Sequence, residues 1–279
     1  MTAILLALGS SVAYGLTDFL GGLAARRAHI FLLGSLTQPL GLVVLLFIAP
    51  FVGGEITGQV WFWGVVSGLG GALAYVSLFR ALAIGPMSVA SPISAIIAVV
   101  LPVLAGVLFG ERLPIVGWLG IGLGIVAVLM VSQVHEDAPH PVSLQVLLLS
   151  IAAGVFISVF LVALERAPSD SGLWPIVIVR IVTSTLLLVA ALTSSVMARP
   201  PRDVLLLASA STLLDVLATV AFMLATREGL LTVVAVITAL YPAATVLMAR
   251  LVLKEHLQSM QRLGLLLAAV SVGVLAAVA

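Results

Sequence analysis

The chain of 279 residues is 62% apolar and only 8% charged, with 12 Lys and Arg against 11 Asp and Glu and a net charge of +1. A soluble chain is about 45–50% apolar and about 25% charged, so these side chains cannot clothe a water-facing globule, and the balanced charge offers no surface for a nucleic acid. Cysteine is absent, which excludes disulfides, thiolate metal sites and cysteine nucleophiles.

The solvent is therefore lipid, and a helix crossing its hydrocarbon core needs about 20 apolar residues. In chain order, the apolar runs predict spans at 2–23, 31–51, 61–83, 87–109 and 114–132. After a polar link at 133–143, further spans are predicted at 144–164, 173–196, 204–226, 231–253 and 259–279. The opening run has no basic region before it and is followed by Arg26-Arg27, so it reads as a retained span rather than a cleaved signal peptide. Ten spans use about 200 residues, and the remaining ~79 leave no room for an appended soluble domain. The runs are too long and continuous for a barrel, so the expected fold is all-α.

The link contains His135, Glu136, Asp137 and His140, a set that suggests metal ligands. Pro139 and Pro141 forbid the helical spacing that would gather them, and a solvated linker is the reading we adopt.

Because the link lies near the midpoint, the halves invite comparison. An offset of 144 lays Ala81, Gly85, Val89, Ile93 and Ala95 on Ala225, Gly229, Val233, Ile237 and Ala239, and Glu111, Leu113 and Gly120 on Glu255, Leu257 and Gly264. Aliphatic matches are cheap in such a sequence, but matched glutamates are not when only 11 acids exist. Five helices per half is an odd number, so two similar halves, 1–132 and 144–279, must be inverted relative to each other. Inverted repeats are a building principle of secondary transporters, which place substrate near mid-membrane between the halves.

Ten short-looped helices with Ala81-x-x-x-Gly85, Gly110-Glu111-Arg112-Leu113 and Gly117-x-x-Gly120 resemble the EamA-type drug/metabolite transporter superfamily. The second half repeats this more weakly as Ala225-x-x-x-Gly229, Tyr241-Pro242, Lys254-Glu255-His256-Leu257 and Gly264. Where the family tends to place a proline thirteen residues before the glutamate, Pro242 fits and the first half has Ala98 instead. The resemblance implies export of amino acids, drugs or metabolites, or exchange of sugar nucleotides or sugar phosphates, with bacterial amino-acid exporters, including those of aromatic amino acids, the most similar branch. It implies a small-molecule substrate, a multi-pass monomer in the bacterial inner membrane, and no cofactor.

Ionisable groups near the bilayer centre are costly and mark function or pairing. Asp18, Arg180 and Asp215 stand well inside spans. Arg180 suits a substrate carboxylate through its two-pronged donor set, and an acid suits a substrate ammonium or a proton. The alternative is an ion pair of Arg180 with Asp215 or Asp18 that only neutralises buried charge. Tyr14 precedes Asp18 by four residues on one helix face. Tyr75 lies deep in the third span beside Gly70-Gly71, as a cavity wall or an interhelical hydrogen bond. Gln38, Ser91 and Ser94 offer hydrogen bonds to a substrate, or to their own helices. Pro92, and likewise Pro39, Pro102, Pro175 and Pro242, is expected to bend its helix and free a carbonyl. Trp61, Trp63, Trp118 and Trp174 lie near span ends as interfacial anchors. Glu111 and Glu255 are expected to cap the helix that follows each of them.

A membrane enzyme is the competing class. Asp18 and Asp215 supply the count for an aspartyl protease but lack its sequence context, and neither Gly-x-Ser-x-Gly nor His-Glu-x-x-His occurs. Channel-like rings of like charge are absent, and a lipid-carrier flippase of the same superfamily remains an alternative cargo class. The family implies cytoplasmic termini, yet that arrangement puts three basic residues in cytoplasmic loops against eight opposite, so the positive-inside count points the other way.

Overall fold

The structure, a computed structural model, describes residues 1–84, 87–132, 143–194, 200–253 and 258–278, without the side chains at 82, 83, 87–89, 91, 92, 249 and 253. The helices are α1 (Thr2–Ala25), α2 (Ile30–Val52), α3 (Gly58–Ile84), α4 (Met87–Leu108), α5 (Ile115–Val131), α6 (Leu144–Glu165), α7 (Trp174–Thr193), α8 (Arg202–Glu228), α9 (Leu231–Thr238), α10 (Tyr241–Leu253) and α11 (Ser259–Val278). A short 3-10 turn, Ser169–Ser171, precedes α7, and no strand occurs among the described residues. Eight stretches are long and apolar enough to cross a membrane, one of them the α9–α10 pair taken together, and the apolar helices Ile93–Leu108 and Ile115–Val131 are shorter. Large apolar side chains such as Phe47, Phe51, Leu108 and Ile115 point outward and are 73–84% exposed, the arrangement that lipid favours and water penalises.

Where two halves meet, small residues let backbones approach. A Cβ at Gly70 on α3 would lie 2.8 Å from the backbone nitrogen of Phe160 on α6. Side by side, α5 and α11 pack through Gly120 against Leu275 and Gly264 against Val131, and Ser271 Oγ donates to the carbonyl of Gly120 at 2.7 Å. Such packing replaces the hydrophobic drive that lipid cannot supply. α9 is apolar all round, and all eight of its residues are buried, which places it inside the bundle.

The predicted ninth span is not one helix. It breaks at Ala239 and Leu240. Pro242 has no N–H for the carbonyl of Thr238 four residues earlier, and the chain turns through tighter bonds from Leu240 to Ile237 and from Ala243 to Leu240. The other prolines do not split their helices. α2 runs unbroken through Pro39, α4 continues through Pro102, and Pro175 sits in the first turn of α7, where a missing N–H costs nothing. The seventh helix ends at Thr193, before its predicted end, and 195–199, like nearly all of the linker and its histidines, lie outside the described residues.

The loops α2–α3, α4–α5, α6–α7 and α8–α9 gather at the end of the bundle that holds the N-terminus: a Cβ at Gly229 would lie 2.8 Å from Ala3 Cβ. Gly54 and Gly172, both with positive φ, let the first and third of these loops touch backbone to backbone, and Glu55 N donates to Asp170 O at 3.2 Å. The opposite end carries the exposed Arg27–Asp203 pair at 3.1 Å.

Candidate functional site

A cavity of about 200 Å³ lies part-way along the bundle and is bounded by residues of both halves. Its floor is the middle of the bundle, where Ala98 of α4, Ile157 and Phe160 of α6, and Thr238 to Tyr241 of the α9–α10 break contribute. From there it runs toward the end opposite the N-terminus, along Asp18 to Ala24 of α1, Leu33 to Gln38 of α2, Tyr75 to Phe79 of α3 and Ala208 to Asp215 of α8. α5 and α11 contribute nothing to its wall. By volume it holds on the order of a dozen water-sized groups.

Arg180 of α7 sits at the centre and is only 4% exposed. One terminal nitrogen donates to Gln38 Oε1 of α2 and the other to Asp215 Oδ2 of α8, so three helices are tied by one guanidinium. Gly41 lets α2 lie close to α8 beside the arginine: a Cβ there would stand 3.0 Å from Val216 Cγ2 and 3.2 Å from Thr212 Cγ2. A buried guanidinium requires such a counter-charge. Nε of Arg180 has no partner among the described residues.

Asp18 lines the same cavity and forms no hydrogen bond or ion pair with any described residue. It stands one turn beyond Gly15, where α1 crosses the α9–α10 break. A Cβ at Gly15 would be 2.6 Å from both the Tyr241 carbonyl oxygen and Ala244 Cβ, and Thr245 Oγ1 donates to the Gly15 carbonyl at 3.0 Å. Tyr14 and Thr219 share a hydrogen bond at 3.0 Å, and Tyr75 donates to the Ile30 carbonyl at 3.3 Å. Tyr75 is thus both a wall and an interhelical bond, with Phe79 tilted against it at 4.6 Å.

Six of the residues singled out from sequence, Tyr14, Asp18, Gln38, Tyr75, Arg180 and Asp215, therefore meet around one cavity. Ser94 does not join them. It is buried where α4 packs on α6, its carbonyl 2.7 Å from where a Gly154 Cβ would be, and its hydroxyl donates to Ala90 O at 3.0 Å. The side chain of Ser91 lies outside the described residues. The wall also holds Thr37, Thr183, Ser211, Thr238 and Tyr241, which sequence reading left unassigned, and Phe160. The Tyr241-Pro242 pair within an apolar run was the available signal.

Glu111 does not cap the helix after it. Its carboxylate reaches across to α9, accepting from Leu231 N at 2.6 Å and Thr232 N at 2.9 Å. Gly106 opens the way: a Cβ there would lie 2.5 Å from Glu111 Oε2. Two amides that α9 leaves unpaired are thereby met by a charge suited to a helix N-terminus. Nearby, Arg227 donates to the carbonyls of Pro168 and Gly172 at 3.4 and 2.9 Å and to Ser171 Oγ at 3.1 Å, while Arg166 lies 4.3 Å over the Phe109 ring. Glu255 lies outside the described residues. Trp174 packs against the core instead of standing free at an interface, whereas Trp61 and Trp118 are exposed.

The profile of the EamA-like transporter family matches residues 1–133 and again 144–277. The chain belongs to the EamA-like transporter family. A curated protein of a Sinorhizobium species, described as an uncharacterized transporter in the cobO 3' region, is 35% identical over 68 residues, 24% of this chain and 48% of its own length. The chain thus spans about half the length of that relative. A solved structure described as "Crystal structure of protein" shares the fold at a TM-score of 0.81 and 18% identity, over 98% of this chain and 95% of that one. Membership in this family accounts for a multi-pass membrane chain.

Proposed function

We propose that this protein is a secondary transporter that exports neutral or aromatic amino acids and related small metabolites across the bacterial inner membrane, as a monomer, by alternating access. The observation that carries this reading is the cavity itself: it is shared by both halves, and its lining runs from the middle of the bundle toward the end opposite the N-terminus. Its volume suits a solute of about a dozen non-hydrogen atoms, and its aromatic and aliphatic wall suits an apolar side chain.

Two inverted five-helix repeats supply the rocking units. The pairing of α1 with α8 has a counterpart in α6 with α3, and that of α4 with α6 in α9 and α10 with α1. Gly120 receives Leu275 as Gly264 receives Val131, each pair related by the offset of 144. Ser67 and Ser211, again 144 apart, donate to Phe160 O of α6 and Thr17 O of α1, respectively. Such reciprocity is what a two-fold relation between halves produces.

Within the cavity, Tyr14, Asp18, Gln38, Tyr75, Arg180 and Asp215 form the substrate site. Arg180 organises it through Asp215 and Gln38, which favours the ion-pair reading of that residue over a free carboxylate clamp. The test is counterflow: proteoliposomes preloaded with unlabelled phenylalanine, leucine, glutamate or lysine are offered the labelled compound. Uptake of phenylalanine or leucine above protein-free vesicles is expected. Absence of counterflow for every compound would refute the amino-acid reading.

A further inference from the structure

We infer that Asp18 is the seat of a positively charged group, and that the cavity selects cargo by an amine and not by a carboxylate. The inference rests on the transporter reading and specifies its substrate class. Two carboxyl side chains, Asp18 and Asp215, and one guanidinium, Arg180, line the cavity, so the acids outnumber the bases there by one. The positive charge is already committed, because both terminal nitrogens of Arg180 are held by Gln38 and Asp215. A substrate carboxylate that reached the remaining N–H groups of Arg180 would stand beside two acids, Asp215 and Asp18, a costly arrangement in a weakly polarisable site. An ammonium at Asp18 displaces nothing.

The surroundings also favour a donor-rich guest. An ammonium brings three N–H donors and a carboxylate brings none. Thr238, at the cavity wall, has a carbonyl deprived of its helical donor by Pro242, and its hydroxyl is without a partner among the described residues. The unmet donor, Nε of Arg180, is itself buried. The rings of Tyr14, Tyr75, Phe79, Phe160 and Tyr241 share the wall, and aromatic faces attract cations. An aromatic amine without a carboxylate is therefore cargo at least as good as the corresponding amino acid, and an aromatic acid without an amine is disfavoured.

Three probes with one phenyl ring separate the cases: 2-phenylethylamine, phenylalanine and 3-phenylpropanoate, titrated calorimetrically into the full chain in lipid nanodiscs. The amine is expected to bind, and the acid at least about tenfold more weakly, about 1.4 kcal/mol. Asp18→Asn should lower affinity for the amine by about tenfold or more, and Asp18→Glu, which keeps the charge, should restore much of it. Equal or tighter binding of 3-phenylpropanoate, an unchanged affinity in Asp18→Asn, or no binding by any probe would overturn the inference. Counterflow in liposomes keeps the two readings apart. Binding of the amine without flux sinks transport and leaves the cation seat, whereas phenylalanine flux indifferent to the amine does the reverse.

Discussion

At the end of the bundle that holds the N-terminus, Glu111 and Arg227 give their charges to backbone amides and carbonyls of other loops. Half-way along, the cavity holds a guanidinium bound to two side chains and a carboxylate bound to none. Both regions must solve the same problem, that polar groups among apolar helices need partners. The end solves it with backbone groups fixed by helix termini and turns, which ties its loops to one another. The cavity solves it only in part and leaves one place for a guest. A carrier needs both: a closure that can be released and a site whose last partner comes from outside.

That contrast can be broken at graded cost. Asp215→Ala strands the buried guanidinium without its counter-charge, and a loss of about 3–5 kcal/mol is expected, read as a lowered unfolding temperature in detergent. Replacing both partners, Arg180→Gln with Asp215→Asn, should recover most of it, because two neutral groups can bond each other. Glu111→Ala removes the carboxylate that meets two α9 amides, and about 1.5–3 kcal/mol should be lost, measured the same way. Gly15→Ala forces a methyl group into the crossing of α1 with the α9–α10 break, at about 1–3 kcal/mol; counterflow should fall with stability. Least of all, Arg27→Ala removes an exposed pair whose side chains are 59% and 64% accessible, and less than about 1 kcal/mol should follow.

The spans were legible because hydrocarbon enforces a length and a composition that no other solvent demands. The intramembrane charges were legible for the same reason, and so Asp18, Arg180 and Asp215 stood out. Which of them pair was not, since Arg180 and Asp215 are brought together only because α7 and α8 both pack on α2. Pro242 carried the same local signal as Pro39 and Pro102, yet it alone of these separates two helices, at the point where Gly15 lets α1 lie against the buried turn. Glu111 announced a cap, but the helix it serves begins 120 residues further on, a distance that local reasoning cannot bridge. Ser94 looked like the lining threonines, and only the α4–α6 contact distinguishes it.

The natural absence of cysteine makes one measurement decisive for the claim that a single cavity is closed at one end and serves both faces in turn. A lone cysteine at Ile157→Cys, in the cavity wall, is labelled in oriented vesicles by a membrane-impermeant maleimide applied to one face at a time. The account predicts faster labelling from the face opposite the N-terminus, and a rise in labelling from the N-terminal face when Glu111→Ala is added. Equal labelling from both faces, unmoved by Glu111→Ala, would contradict it.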